Sequence, residues 1–311
     1  MATACGGHFH ILRKNFLMPH TRQSNLRGIA FMVFAVGAFS LMDAALKLLT
    51  PHYPPLQVAA LRGLTALPLV VIWVGFAGGY AQLLRIHWPL HLFRGLLSIV
   101  MLSSFAYALK RMPLTAAYAV FFVAPSLITL LSVPMLKEKV GRAHWIAIVI
   151  GFVGVLVVLR PSGDGLISTA GLMVLLSAVC YALSSISVRV LARTDSTSSM
   201  MFWMITMLSL GATALAWPDW KPLRAEHWHI LLALAITGAL GQYAITEAFR
   251  RAQAAVAAPF EYTALAWGVA LDWWLWRTFP DRWVFIGAGI IIVSGIYLLR
   301  HEHQHAEAEH P

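Results

Sequence analysis

The chain has 311 residues, 59% of them hydrophobic and only 12% charged, with a formal net charge of +10 and a mean hydropathy of +0.72. Soluble domains carry about 25% charged residues, so a soluble protein is excluded and an all-α integral membrane protein is expected. The basic residues sit at the ends of apolar runs, where positive charge sets membrane orientation, so the partner is the lipid bilayer and not nucleic acid.

Residues 1–27 read as a cytoplasmic N-terminal tail holding Arg13, Lys14, Arg22 and Arg27. The apolar run that follows is as long as a full span and lacks a small-residue cleavage site, so it is not a signal peptide. Met18 is an alternative start, since MPHTRQSNLRG is a sufficient lead. The two cysteines, Cys5 in the tail and Cys180 in an apolar run, offer neither a plausible disulfide nor metal-ligand spacing.

A helix needs about 20 mostly apolar residues to cross the hydrocarbon core. Ten runs qualify: 28–48, 55–76, 90–109, 113–136, 143–159, 167–190, 199–217, 228–249, 254–276 and 283–299. They are joined by short turn-rich connections such as TPHYPP, RPSGDG and WPDWKPLRAEH. With the N-terminus inside, the cytoplasmic segments hold fourteen Lys and Arg and the outer ones seven, which places both termini in the cytoplasm.

Shifting the sequence by 140 residues lays AYALKRMPLTAAYAVFFVAPSL, from Ala106, over TEAFRRAQAAVAAPFEYTALAW, from Thr246. Lys110 and Arg111 then meet Arg250 and Arg251, and Arg142 meets Arg282; a shift of 142 brings Lys47 over Arg189. The chain therefore divides into repeats at 28–160 and 167–300, followed by a tail at 301–311. Five spans is an odd number, so the two halves enter the membrane in opposite orientations, the inverted repeat of many secondary transporters.

The first half carries Lys47, Arg62, YALKRMPLTAAYAVFFVAPSLITLLSVPMLKEKV and IGFVGVLVV; the second carries AVAAPFEYTALAWGVALDWWLWRTFPDRW and IGAGIIIVSGIYLL. In this order the motifs resemble the EamA type of the drug/metabolite transporter superfamily, over about residues 28–300. The resemblance implies a ten-helix inner-membrane carrier of small polar or amphipathic metabolites, often moved outward, with a central cavity walled by both halves. Lys47 and Arg62 fall on family positions, and Glu138 fits the acidic mark after the fourth span. The matching acid after the ninth span is replaced by Thr278.

Charges within spans cost about 2.5–3.5 kcal/mol each on insertion scales, so they pair or face water. In SLMDAALKLL, Asp43 and Lys47 are four apart and share a helix face. They read either as an internal pair with Lys47 reaching the interface, or as a gate or substrate contact. Arg62 reads as a boundary charge that a substrate carboxylate could recruit. Glu261 and Asp272 share a face eleven residues apart, and their first-half counterparts are Phe121 and Ser132, so the scaffold does not itself demand acids there. Asp272 leads into an aromatic belt of Trp273, Trp274 and Trp276, and Glu247 is expected to pair with Arg250 or Arg251.

Pro125 and Pro259 interrupt the fourth and ninth spans, and broken helices point to transporter sites. Around them Tyr118, Phe122, Tyr262 and Trp267 are candidate substrate contacts, with Phe121 and Phe260 beside them. The alternative for these aromatics is core or lipid packing. HEHQHAEAEHP, at the C-terminus, reads as a solvated, disordered His-rich tail and not as a metal site.

Together these features indicate an inner-membrane secondary exporter of a small organic metabolite, such as an amino acid or related amphipathic compound. Its substrate-binding or gating residues are Asp43, Lys47, Tyr118, Phe122, Glu261, Tyr262 and Trp267. Glu261 is the candidate proton carrier, because a carboxyl group in a low-dielectric cavity can load and unload a proton. No nucleotide-binding loop is present, no cofactor or metal is implied, and no oligomeric state is indicated. Catalysis is not expected, because the histidines lie at span ends and none has H-E-x-x-H spacing. The competing readings are a non-transporting accessory subunit and a facilitator without coupling.

Overall fold

The computed structural model describes residues 22–76, 80–83, 86–136, 142–159, 168–191, 194–251 and 258–308. These residues form helices α1 (Arg22–Leu49), α2 (Pro55–Phe76), α3 (Trp88–Leu109), α4 (Leu114–Phe121), α5 (Ala124–Leu136) and α6 (Arg142–Leu159). They continue as α7 (Thr169–Leu191), α8 (Thr197–Ala216), α9 (Trp228–Arg251), α10 (Ala264–Trp276) and α11 (Arg282–Ala308). Short 3-10 turns lie at Tyr80–Leu83, Trp217–Asp219, Ala225–His227 and Ala258–Thr263.

Among the described residues, six segments are long and apolar enough to cross a bilayer: Leu26–Leu49, Pro55–Phe76, Trp88–Leu109, Thr169–Val188, Ser198–Asp219 and Ala225–Ile245. A helix of 22 residues such as α3 rises about 33 Å, enough for a hydrocarbon core of about 30 Å. Shorter apolar helical stretches occur at Leu114–Ile128, Ile148–Val158 and Arg282–Tyr297. The outer surface of the helices is studded with Leu, Ile, Val and Phe, for example Phe34, Ile72, Leu92, Val149, Leu210 and Val293. Such a surface is stable in lipid and a liability in water.

Three helix boundaries differ from expectation. The fourth span is two helices, with α4 ending at Phe121 and α5 starting at Ala124. The first span starts in the tail, at Arg22, and α11 continues to Ala308, so the His-rich tail expected to be disordered is helical over most of its length.

The helices pack in pairs drawn from the two halves: α1 on α9, α3 on α7, α2 on α8 and α6 on α11. Exchanging the halves turns α1–α9 into α7–α3 and leaves α2–α8 and α6–α11 unchanged, so the packing maps onto itself. Glycines bring the last two pairs together. A Cβ on Gly63 would lie 2.9 Å from Ser209 Cα, and one on Gly287 would lie 2.6 Å from the Gly154 carbonyl oxygen. In a membrane, where helices gain little from hydrophobic burial, such close backbone approach supplies the packing.

The bundle has two ends. The Tyr53 end carries the turns that follow α1, α3, α8 and α10, while the Asp195 end carries those that follow α2 and α7.

Candidate functional site

The site lies where the halves meet, around α1, α4 and α10. Lys47 pairs with Asp272, its Nζ donating to Oδ1 at 3.2 Å, and also lies 4.3 Å from the Trp276 ring centroid. The expected partner four residues earlier, Asp43, instead accepts from the Tyr118 hydroxyl, which donates to Oδ2 at 2.9 Å. The local pair is thus replaced by two contacts to other helices, one within the first half and one to the second. The reason is that Asp272 offers Lys47 a fully buried carboxylate with its own network of donors.

That network begins at Pro113, the residue preceding α4, which has no side-chain acceptor for the first amides of the helix. Asp272 supplies it from α10. Its Oδ1 accepts from the Leu114 amide at 3.0 Å, and its Oδ2 accepts from the Thr115 amide and the Thr115 hydroxyl, both at 2.8 Å. Unpaired amides at a helix N-terminus carry partial positive charge and favour a carboxylate. Just past Asp272, α10 stops at Arg277, which adopts the left-handed conformation with φ 54°. The Thr278 amide and hydroxyl then donate to the Asp272 carbonyl, at 3.2 and 3.4 Å. Thr278 therefore closes the helix C-terminus.

One turn deeper, Tyr118 and Thr115 pack against Gly268, where a Cβ would lie 3.0 Å from Tyr118 Cδ2 and 3.3 Å from Thr115 Cα. Trp267 lies against Gly37 of α1, its Cζ2 being 2.9 Å from the position of an added Cβ. Beyond the break in the fourth span, Phe122 meets Tyr262 edge to face, with centroids 5.1 Å apart. Phe121 stacks between Phe105, at 5.9 Å, and Tyr181, at 5.4 Å. Glu261 sits in the 3-10 turn Ala258–Thr263, half-buried and close enough to Tyr181 and Tyr262 for its charge to act on both rings. Among the described residues it has no hydrogen bond or ion pair. Arg62 is half-buried and faces Asp43 across a gap too wide for direct contact.

The two prolines mark the breaks. Pro125 is the second residue of α5 and Pro259 falls in the 3-10 turn before α10. The first turn of a helix is where a residue without an N–H is tolerated. The side chain of Glu247, the segment holding Glu138, and the side chains of the His-rich tail lie outside the described residues. No group of three or more His, Cys, Asp or Glu suited to a metal occurs among the described residues.

The structure places Asp43, Lys47, Tyr118, Phe122, Glu261, Tyr262 and Trp267, all singled out in the sequence, around α1, α4, α10 and the turn before α10. Sequence reasoning did not find Thr115 or Tyr181. The signal for Thr115 was present, since a helix opening in Pro-Leu-Thr leaves amides that need an acceptor from elsewhere.

The arrangement contains polar groups and aromatic rings between two helix sets, with interrupted helices at its centre. The profile of the EamA-like transporter family matches residues 26–160 and again 168–300. A pseudopaline exporter of Pseudomonas aeruginosa is 28% identical over 88% of this chain and 96% of its own length. A riboflavin transporter of Vibrio cholerae is 27% identical over 91% of this chain and 96% of its own. A solved crystal structure, 22% identical, superposes with a TM-score of 0.58 over 90% of this chain and 98% of its own, which bears on the fold alone. Two matches in tandem, each covering one half, agree with the paired packing of the helices, and the chain belongs to the EamA-like transporter family.

Proposed function

We propose that this small-molecule transporter is an inner-membrane exporter of an amphipathic organic metabolite, working by alternating access between two oppositely oriented five-helix halves. Both termini are cytoplasmic in this reading, so the Tyr53 end faces outward. The observation that carries it is the meeting of α1, α4 and α10. There Lys47 and Asp272 join the halves through an ion pair, and Phe122 and Tyr262 meet across the same boundary. Charges that contact each other across a boundary can separate and re-form as it opens; charges fixed within one helix cannot.

The cargo is a molecule with an apolar body and polar ends, matched to aromatic walls flanked by Glu261 and by Asp43 with Arg62. Pseudopaline and riboflavin are the cargoes named for two relatives. Glu261 is the proton carrier of this reading, because it stands in the broken segment with no described partner holding its proton.

The test is flux in proteoliposomes. Riboflavin and a metabolite panel are offered with and without a pH gradient, using wild type and Glu261→Gln. The reading expects uphill movement of at least one compound by wild type, and exchange without uphill movement by the variant. Gradient-driven accumulation by Glu261→Gln removes Glu261 as the carrier. Wild-type flux unaffected by a proton ionophore makes the protein a facilitator.

A further inference from the structure

We propose that Asp272 is the lock of a gate at the Tyr53 end, built from residues that the corresponding positions of the other half do not repeat. This rests on the alternating-access reading above. The Asp272 carboxylate is completely buried and accepts four hydrogen bonds, from Lys47 on α1 and from Leu114 and Thr115 at the start of α4. It therefore joins three helices from both halves at one point. Directly beneath it, Thr115 and Tyr118 close on Gly268, and Tyr118 reaches Asp43. Along α4 and α10 these two layers stand between the Tyr53 end and Phe122, Tyr262 and Glu261. Opening it means withdrawing a carboxylate from an ammonium, two helix-terminal amides and a hydroxyl at once. Charge-assisted bonds of this kind are roughly twice as strong as neutral ones.

The repeat supplies the comparison. The counterpart of Asp272 is Ser132, that of Thr115 is Ala255, and that of Tyr118 is Ala258. Lys47 corresponds to Arg189, and Asp43 to Ser185. The sequence thus keeps a cation at the matching place in the second half and discards both acids, the tyrosine hydroxyl and the threonine hydroxyl. An inverted repeat with identical gates would favour neither state. The two ends are therefore held by different groups, and the Asp272 lock favours the state closed at the Tyr53 end, which a ligand shifts only by binding the open state more tightly.

The test uses the full chain with Cys5 and Cys180 replaced by serine, and Ser40→Cys as a reporter. Ser40 is buried beside the Tyr118 hydroxyl, below the lock. An impermeant thiol reagent is applied to intact cells, where it reaches the face carrying the Tyr53 end in this reading, and inside-out vesicles expose the opposite face as the control. The expected result is slow labelling in the parent and labelling several-fold faster with Asp272→Asn. Thr115→Val, which removes one hydroxyl donor and keeps the fold, should lie between. Equal rates in the parent, Asp272→Asn and Thr115→Val overturn the lock. Should Asp272→Asn not fold, Thr115→Val and Lys47→Gln decide alone, and parental rates in both overturn it. Flux measured on the same variants separates the two ideas. Loss of the lock with normal flux leaves the transporter reading standing, and faster labelling in a protein that carries nothing removes that reading but keeps the gate.

Discussion

Asp195 shows how a single residue can tie the halves together outside the membrane-spanning segments. It lies in the turn between α7 and α8, almost fully buried, and meets two histidines at the start of α3. His91 Nε2 donates to its Oδ2 at 2.7 Å, the His87 amide approaches the same oxygen at 3.2 Å, and His87 Nδ1 lies 3.3 Å from Oδ1. The Thr194 hydroxyl donates to Oδ1 at 2.7 Å, and Arg94, one turn past His91, is turned instead to the Met200 carbonyl. Burial works against the ionised carboxyl, but the bonds from Thr194, His91 and His87 outweigh it and hold its pKa down to about 2. A depressed folded-state pKa contributes stability above the unfolded value, and that stability is lost as pH falls through the folded one. Asp195→Asn should therefore melt earlier than wild type at neutral pH, by about 1–3 kcal/mol for a buried charged network. The gap should close between the ordinary value of 3.8 and about 2. Melting curves of the purified protein across that window check it, and a gap that stays constant with pH rules out the ionised carboxylate as its source. At the opposite end the repeat places Tyr53 where Asp195 stands, and His227 where His87 stands. Tyr53 and His227 are bonded at 2.8 Å. The strap thus recurs with a phenol in place of a carboxylate. Neither strap was legible in the sequence, because each joins residues more than a hundred positions apart and only the fold supplies the neighbour. The same is true of Lys47, whose partner lies 225 residues away.

Elements were far more legible than contacts. The expected spans at 55–76 and 90–109 correspond to α2 (Pro55–Phe76) and α3 (Trp88–Leu109), because long apolar runs between turn residues leave the backbone little choice in lipid. The break in the fourth span was expected from Pro125 but falls at Phe122 and Val123, just before it. A proline deprives the carbonyl four residues earlier of its donor, so the disturbance appears in the preceding turn. The α6–α11 pair makes a quantitative prediction at this scale. A Cβ on Gly154 would lie 2.6 Å from Ile291 Cγ1 and 2.9 Å from the Gly287 carbonyl oxygen, and backbone cannot step aside as a side chain can. Gly154→Ala should lower stability by about 1–3 kcal/mol, the usual range for overpacking. Gly289→Ala, on the same α11 but with nothing within 4 Å of an added Cβ, should cost little. Equal melting temperatures for the two variants would show that α6 and α11 do not pack through these glycines.

At the scale of the whole molecule, the exchange of α1–α9 with α7–α3 bears on orientation. With five spans expected in each half, the proposed mechanism requires halves that pack equivalently to insert with opposite polarity. In the reading proposed above, the charge bias of the connections puts the turn between α8 and α9 outside and the turn between α2 and α3 inside. Two exposed positions test both at once: Glu226 in the first turn, 65% exposed, and Tyr80 in the second, 53% exposed. In a chain lacking Cys5 and Cys180, Glu226→Cys should react with an impermeant thiol reagent in intact cells, and Tyr80→Cys only after the membrane is opened. The reverse pattern would keep the fold and turn the molecule over, so that the Asp272 lock would face the cytoplasm. Reaction of both in intact cells would be more damaging. It would place the ends of α2 and α9 on one face, break the opposed polarity of the halves, and leave the alternating-access mechanism without its structural basis.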